Sequence, residues 1–250
     1  MVLSWEQTEL LVRTEQQYGA GDELRQRAWV EIDTAALAHN IKQLKSLLSP
    51  QTELLAVVKA DAYGHGAVTV AKTVIGSGAS LLGVATVPEG IELRKAGIKA
   101  PIIILGATHT LEQIHVIACW QLQPTLYHPQ QALMFSETLS GSFASSRSFN
   151  PLPVHVKFDT GMSRLGPSWQ QAAEFVRLVR RLPNLEIKSI YSHLATAENL
   201  DQTVMRQQQA RFDQVIAQIA TEMPLPPRHL ANSAATLTDK ALHYDMVRVV

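Results

Sequence analysis

The chain has a single cysteine, Cys119, which excludes an internal disulfide framework and a cysteine-built metal centre. It has no excess of either charge. The 22 Lys+Arg balance 22 Asp+Glu, and no basic stripe or polybasic run offers a surface to nucleic acid or an anionic membrane. No apolar run reaches the length of a membrane span, and the opening MVLSWEQTEL lacks the basic start and apolar stretch of a signal peptide. These absences point to a cytoplasmic protein with a small-molecule ligand and no metal. What is present is 250 residues with 46% apolar content, enough for one large core. Cys119 itself falls on a helical stretch among apolar neighbours and is expected to serve packing.

Residues 1–27 are polar and carry Gly19 and Gly21, so they read as an N-terminal extension before a single domain over residues 28–250. WVEID, from Trp29, alternates like a strand, and Asp33 or Thr34 then caps a helix with Leu37, Ile41, Leu44 and Leu48 on one face. Eight short apolar runs follow: LLAVVK, LLGVAT, IIILG, LQPTLY, VHVKFDTG, IKSIYSHL, RHLANS and MVRVV. Helical text follows seven of them. Helix starts carry their own cues, with Pro88 in a first turn and capping-box spacing in the Thr110/Gln113 and Ser168/Gln171 pairs. Gly97 suits a helix end, and MPLPP stops the helix that places Phe212, Val215, Ile216 and Ile219 on one side. SGSFASSRSFN, before Pro151, reads as the one long irregular loop. The pattern predicts eight parallel strands closed into a TIM-type (β/α)8 barrel rather than an open doubly wound sheet.

Barrel enzymes place their chemistry at the carboxyl ends of the strands, and here Lys59, Asp159, His193, Asn232 and Ser233 fall there. Lys59 ends LLAVV and precedes the tight AYGHG turn, a partly desolvated position that suits a reactive amine or a lysine reaching solvent. Period-2 alternation in VHVKFDTG separates Val154, Val156 and Phe158 from His155, Lys157 and Asp159. Helices outside the barrel would turn the polar set inward. Arg164, in the following loop, then meets Asp159 or an anionic ligand, although a structural ion cluster accounts for the same residues. Asn232 and Ser233 suit phosphate binding after the seventh strand, or simply a helix cap. Arg248, inside the last apolar run, calls for a buried partner unless it reaches outward.

AVVKADAYGHG, VKFDTGMSRLG, YSHLATAE, HLANSAAT and MVR together resemble, in this order and on these strands, the alanine racemases. The resemblance runs from about Trp29 to Val250. It implies an isomerase that interconverts L-alanine and D-alanine for cell-wall precursors, with pyridoxal 5'-phosphate as cofactor. Lys59 would carry the cofactor on its amine and serve as one of two opposed acid/base groups at the substrate α-carbon. Tyr63, Asn232 and Ser233 would hold the phosphate. Arg164 would bind near the cofactor's phenolic oxygen and the substrate carboxylate, oriented by Lys157, which is often carbamylated in the family. His193 would pack around the ring, and Arg248 would face the pyridine nitrogen with His229 behind it.

Two departures from the family pattern stand out. After the arginine the family continues with a glycine-containing segment that gives backbone N–H groups to the phosphate, whereas this sequence reads MVRVV, with Val250 at the glycine position. The family's C-terminal β domain, whose tyrosine acts across a homodimer as the second base, is not represented. Racemisation by these 250 residues is therefore expected to be incomplete. A non-enzymatic single-domain pyridoxal-phosphate carrier on the same barrel is the alternative reading.

Overall fold

The computed structural model describes residues 30–143 and 150–250, of which Thr34–Val250 form one compact unit. The proposed extension, residues 1–27, and Trp29 lie outside the described residues. Val30–Asp33 form no strand, and Val30 is exposed. Alternation alone did not make Val30–Asp33 a strand, because a strand also needs a pairing ladder.

The unit opens with α1 (Thr34–Leu47), which buries Ile41 and packs Leu37 and Leu44 on the core. Strands and helices then alternate: β1 (Glu53–Val57), α2 (Ala67–Gly76), β2 (Leu81–Val84), α3 (Val87–Lys95), β3 (Ile102–Ile104), α4 (Leu111–Cys119) and β4 (Gln123–Leu126). The second half continues with α5 (Pro129–Phe143), β5 (Leu152–Lys157), α6 (Ala172–Arg181), β6 (Leu185–Tyr191), α7 (Thr203–Ala220), β7 (Arg228–His229), α8 (Ser233–Thr238) and β8 (Met246–Val249). All eight strands pair in parallel in sequence order, and β1 pairs with β8 to close the barrel. The expected eight-stranded (β/α)8 barrel is therefore the fold observed. Because both faces of each strand are covered, the runs are apolar almost without interruption.

Local cues behave as their chemistry requires at most positions. Thr86 and Glu89 form a capping box at α3 with Pro88 in the first turn, and Thr110 accepts the Gln113 amide at 3.2 Å at α4. Gly97, at φ +85°, follows the end of α3. Three expectations need correction. Ser168 and Gln171 make no capping box, because the chain enters α6 through a 3₁₀ turn in which the Gln171 amide donates to the Ser168 carbonyl instead. SGSFASSRSFN is not wholly a loop, since α5 runs through Phe143; residues 144–149 lie outside the described residues. Cys119 is exposed rather than packed. At 100° per residue it points about 200° away from the buried Ile117 two positions earlier.

The barrel interior is divided into two halves. Leu55, Leu81, Ile103 and Met246, with Val57 and Leu105, form an apolar cluster inside β1, β2, β3 and β8, apart from the larger core between wall and helices. Inside β4 to β7 the side chains are polar: Thr125, His155, Lys157, Ser189 and His229 are all buried. A one-residue irregularity in the β5–β6 register, between Val154 and His155, sets Ser189 opposite His155 and leaves Lys188 exposed. Without that slip the ladder would carry an ammonium into the interior in place of a hydroxyl.

Candidate active site

Lys59 leaves β1 into a short turn, Lys59–Gly64, whose residues Ala60, Asp61, Ala62 and Tyr63 all have φ between 50° and 57°. Four consecutive non-glycine residues in the left-handed region are costly for L-amino acids. The surroundings hold them there. Glu89 Oε1 accepts the Ala60 amide at 2.9 Å, and Asp61 Oδ1 accepts the Ala67 amide at 2.6 Å, tying the turn to the start of α2. The amides of Ala62 and Gly66 donate to the carbonyls of Val58 and Asp61. This geometry puts both Lys59 and Tyr63 on one cavity of about 600 Å³ at the carboxyl ends of the strands.

The same cavity gathers Lys157, Arg164, His193, Asn232, Ser233 and Arg248. His229, just beneath, is fully buried and reaches Arg248 Nη1 through its Nδ1 at 2.9 Å. All the expected site residues thus converge on one place. Asp159 does not: its Oδ1 accepts the amides of Gly161 and Ser163, each at 3.0 Å, so the carboxylate shapes the β5–α6 loop instead of meeting Arg164. Among the described residues no group of three His, Cys, Asp or Glu side chains converges as a metal site.

Charge is distributed unevenly. Lys59, Lys157, Arg164 and Arg248 line the cavity, and no Asp or Glu side chain does. The Arg248 guanidinium is buried, and its contacts are neutral: His229, the carbonyls of Ser192 and Leu230, and His193 Nδ1 at 3.1 Å. Burial lowers its pKa to about 10, so it stays protonated at neutral pH. Lys157 is buried and donates to the Leu165 carbonyl at 2.7 Å. Its pKa falls to about 8, chiefly by burial and further by Arg164 and Arg248, with Asp159 opposing. Burial first and then the four cations press His193 down to about 3. Because Arg248 only donates, His193 Nδ1 accepts and its Nε2 carries the proton.

Tyr191 is a site residue that sequence reasoning did not assign. It lines the cavity, stacks on His229 with ring centroids 4.5 Å apart, and donates to or accepts from Thr125 through its hydroxyl at 2.9 Å. The Lys157 ammonium and the Arg248 guanidinium lie 5.9 and 5.2 Å from its ring centroid. The signal was available, since Tyr191 shares strand parity with Ser189 and His193 in IKSIYSHL. Asn232 is the helix cap and also faces the cavity. Its Oδ1 accepts the Ala235 amide at 3.0 Å as the cap of α8 while the residue lines the cavity, and Ser233 Oγ accepts the Val250 amide at 3.0 Å.

Gly166, beside Leu165, has φ +108°, and a Cβ there would stand 2.7 Å from Phe158 Cα and 2.8 Å from the Lys157 carbonyl. Gly166→Ala is expected to destabilise the fold by ~2–4 kcal/mol through backbone strain and overpacking, read as a lower urea midpoint. An unchanged midpoint would show that the loop yields freely.

A cavity with four cations, no acid and a lysine at its rim suits an anionic carbonyl compound such as pyridoxal phosphate: the donor set matches a phosphate, and Lys59 supplies an amine. Residues 32–249 match the family model described as "Alanine racemase, N-terminal domain". The alanine racemase of Nostoc sp. (strain PCC 7120) is 65% identical over 225 residues, covering 90% of this chain and 57% of its own. That of Synechocystis sp. (strain PCC 6803) is 56% identical, covering 90% and 59%. Among solved structures, alanine racemase from Clostridium difficile 630 superposes with a TM-score of 0.83 at 30% identity, covering 91% of this chain and 58% of that one. Alanine racemase from Bacillus anthracis with bound L-Ala-P gives 0.81 at 30% identity, covering 91% and 57%. The chain spans somewhat less than three fifths of these relatives' length, and it belongs to the alanine racemase N-terminal domain family.

Proposed function

We propose that this barrel is the cofactor-binding part of an enzyme that interconverts L-alanine and D-alanine with pyridoxal 5'-phosphate. The observation that carries the reading is the cavity with four cationic side chains and no acidic one, floored by a buried guanidinium whose partners are all neutral. When bound, pyridoxal phosphate supplies an electron sink that acidifies the α-hydrogen of an amino acid.

The chain's own residues divide the remaining work. Lys59 holds the cofactor through its amine and moves the proton at the α-carbon from one face. Tyr63, Asn232 and Ser233 hold the phosphate. Arg164, for which no hydrogen bond or ion pair is found among the described residues, is free to bind the substrate carboxylate, and Lys157 steadies it, as the amine or as a carbamate. His193 offers Nε2–H to the ring. Arg248 keeps its proton, so facing the pyridine nitrogen it would donate a hydrogen bond without giving up that proton, and the bound group would then supply a restrained electron sink. A second acid/base group must stand on the opposite face, and the family resemblance assigns it to a tyrosine contributed across a homodimer. The product would feed cell-wall precursors in the cytoplasm.

Deuterium exchange at the α-carbon of L- and D-alanine, with added pyridoxal phosphate, tests the reading. The 250-residue chain should exchange at least one enantiomer faster than free cofactor, and Arg164→Leu should lower the efficiency by ~10–100-fold, the worth of a charged hydrogen bond. No exchange of either enantiomer by a cofactor-loaded chain would sink the reading.

A further inference from the structure

Behind Arg248 a buried chain of hydrogen bonds descends through the polar half of the barrel. Arg248 Nη1 lies 2.9 Å from His229 Nδ1, His229 Nε2 lies 2.7 Å from Ser189 Oγ, Ser189 Oγ lies 2.6 Å from His155 Nδ1, and His155 Nε2 lies 2.9 Å from Gln123 Oε1. Its two ends fix the direction. A guanidinium can only donate, so His229 Nδ1 accepts and Nε2 carries the ring proton, which it donates to Ser189 Oγ. At the other end Gln123 Oε1 can only accept, so His155 donates from Nε2 and receives the Ser189 hydroxyl proton on Nδ1. Every donor points away from Arg248, and every acceptor faces it. Both rings are neutral, His155 at about 3 and His229 well below its usual value, chiefly through burial.

We propose that Gln123, His155 and Ser189 are positioning residues that, through the fixed orientation of His229, hold the Arg248 guanidinium at the cavity floor. Aligned dipoles stabilise a buried cation while leaving its charge unneutralised, which a carboxylate partner would not do. What Arg248 then faces rests on the proposed function, but the orientation itself belongs to the protein alone.

A change at the far end makes the chain testable. In Gln123→Glu a carboxylate accepts from His155 and favours its doubly protonated ring, whose Nδ1–H then donates to Ser189 Oγ and leaves His229 Nε2 as the acceptor in the chain toward which the hydroxyl's one hydrogen turns. His229 must then carry its proton on Nδ1, donor against donor with Arg248.

The test uses nitrogen-15 spectra of the histidine rings and side-chain proton exchange of Arg248 in the cofactor-free 250-residue chain, with His155→Gln and His229→Gln for assignment. Wild type should show Nε2–H at both rings. Gln123→Glu should move the His229 proton to Nδ1 and speed Arg248 exchange by ~10-fold or more, as expected when a charged group loses a buried acceptor. Adding Ser189→Ala to Gln123→Glu should cut the connection and restore the wild-type His229 tautomer. An Nδ1–H ring in wild type overturns the proposal even if the variants do not fold. So does a Gln123→Glu protein whose His229 and Arg248 behave as in wild type. Since no cofactor is present, failure here is separate from failure of the alanine reading, which the exchange assay judges.

Discussion

Lys59→Ala should abolish borohydride-stable attachment of pyridoxal phosphate to the protein at stoichiometric cofactor. Two lysines line the cavity, and only one is placed to react. Lys157 has an amine pKa lowered to about 8, and on acidity alone would be a good nucleophile. Geometry decides otherwise, because its Nζ is buried and engaged with the Leu165 carbonyl at 2.7 Å, whereas Lys59 is half-buried at the rim. Wild type should therefore yield one labelled peptide containing Lys59, and the variant none. Label recovered on Lys157 instead would overturn the assignment of roles, while scattered label on surface lysines would show that the cavity does not select the aldehyde.

Acid should weaken the fold well above the carboxylate range. His155 and His229 are buried and neutral, with pKa values depressed below the ordinary 6.5 mainly by desolvation. In the unfolded chain both recover ordinary values and take up protons first, so their contribution is present above about pH 6.5 and is lost as pH falls toward the folded value, about 3 for His155. A ring still neutral in the fold at pH 5 costs ~2 kcal/mol relative to pH 7.5, or ~4 kcal/mol for the pair. Urea midpoints at the two pH values measure this. A midpoint that does not move between pH 7.5 and 5 would mean that these histidines are charged or hydrated in the folded protein.

Much of this was legible in the sequence, for physical reasons that can be traced to particular residues. The eight runs became the eight strands because a parallel barrel covers most of both strand faces, which leaves short, mostly apolar runs broken by the polar residues of the β4–β7 interior. Alternation in VHVKFDTG placed His155 and Lys157 inside correctly, since the extra residue of the β5–β6 irregularity, Lys188, lies on β6 and leaves the alternation of β5 intact. It failed for Asp159, which lies past the last ladder pair, where a carboxylate can fold back onto loop amides. Parity also fails in β6: Ile187 and Ser189 share it, yet the slip at Lys188 turns Ile187 to the outer core and Ser189 to the interior. A register slip answers to pairing between distant segments, which local text does not record. Of the left-handed turn after Lys59, the sequence showed that AYGHG turns tightly but not that four residues in succession are left-handed. Neither glycine nor asparagine occurs in Ala60–Tyr63, and what holds the turn includes Glu89, a helix residue 29 positions away.

That turn also imposes a stereochemical filter on the barrel's mouth. Four L-residues at φ near +50° cost together about 4–8 kcal/mol, which the surrounding hydrogen bonds must offset. β-Branched side chains at positions 60–63 would raise that cost, whereas glycine or asparagine would relieve it, so the segment next to Lys59 obeys substitution rules opposite to those of the strand before it. The backbone there is the mirror image of an ordinary helical turn. A D-alanyl residue introduced at Ala60 or Ala62 by chemical ligation would meet its preferred geometry, whereas the right-handed helices among the described residues require the L form.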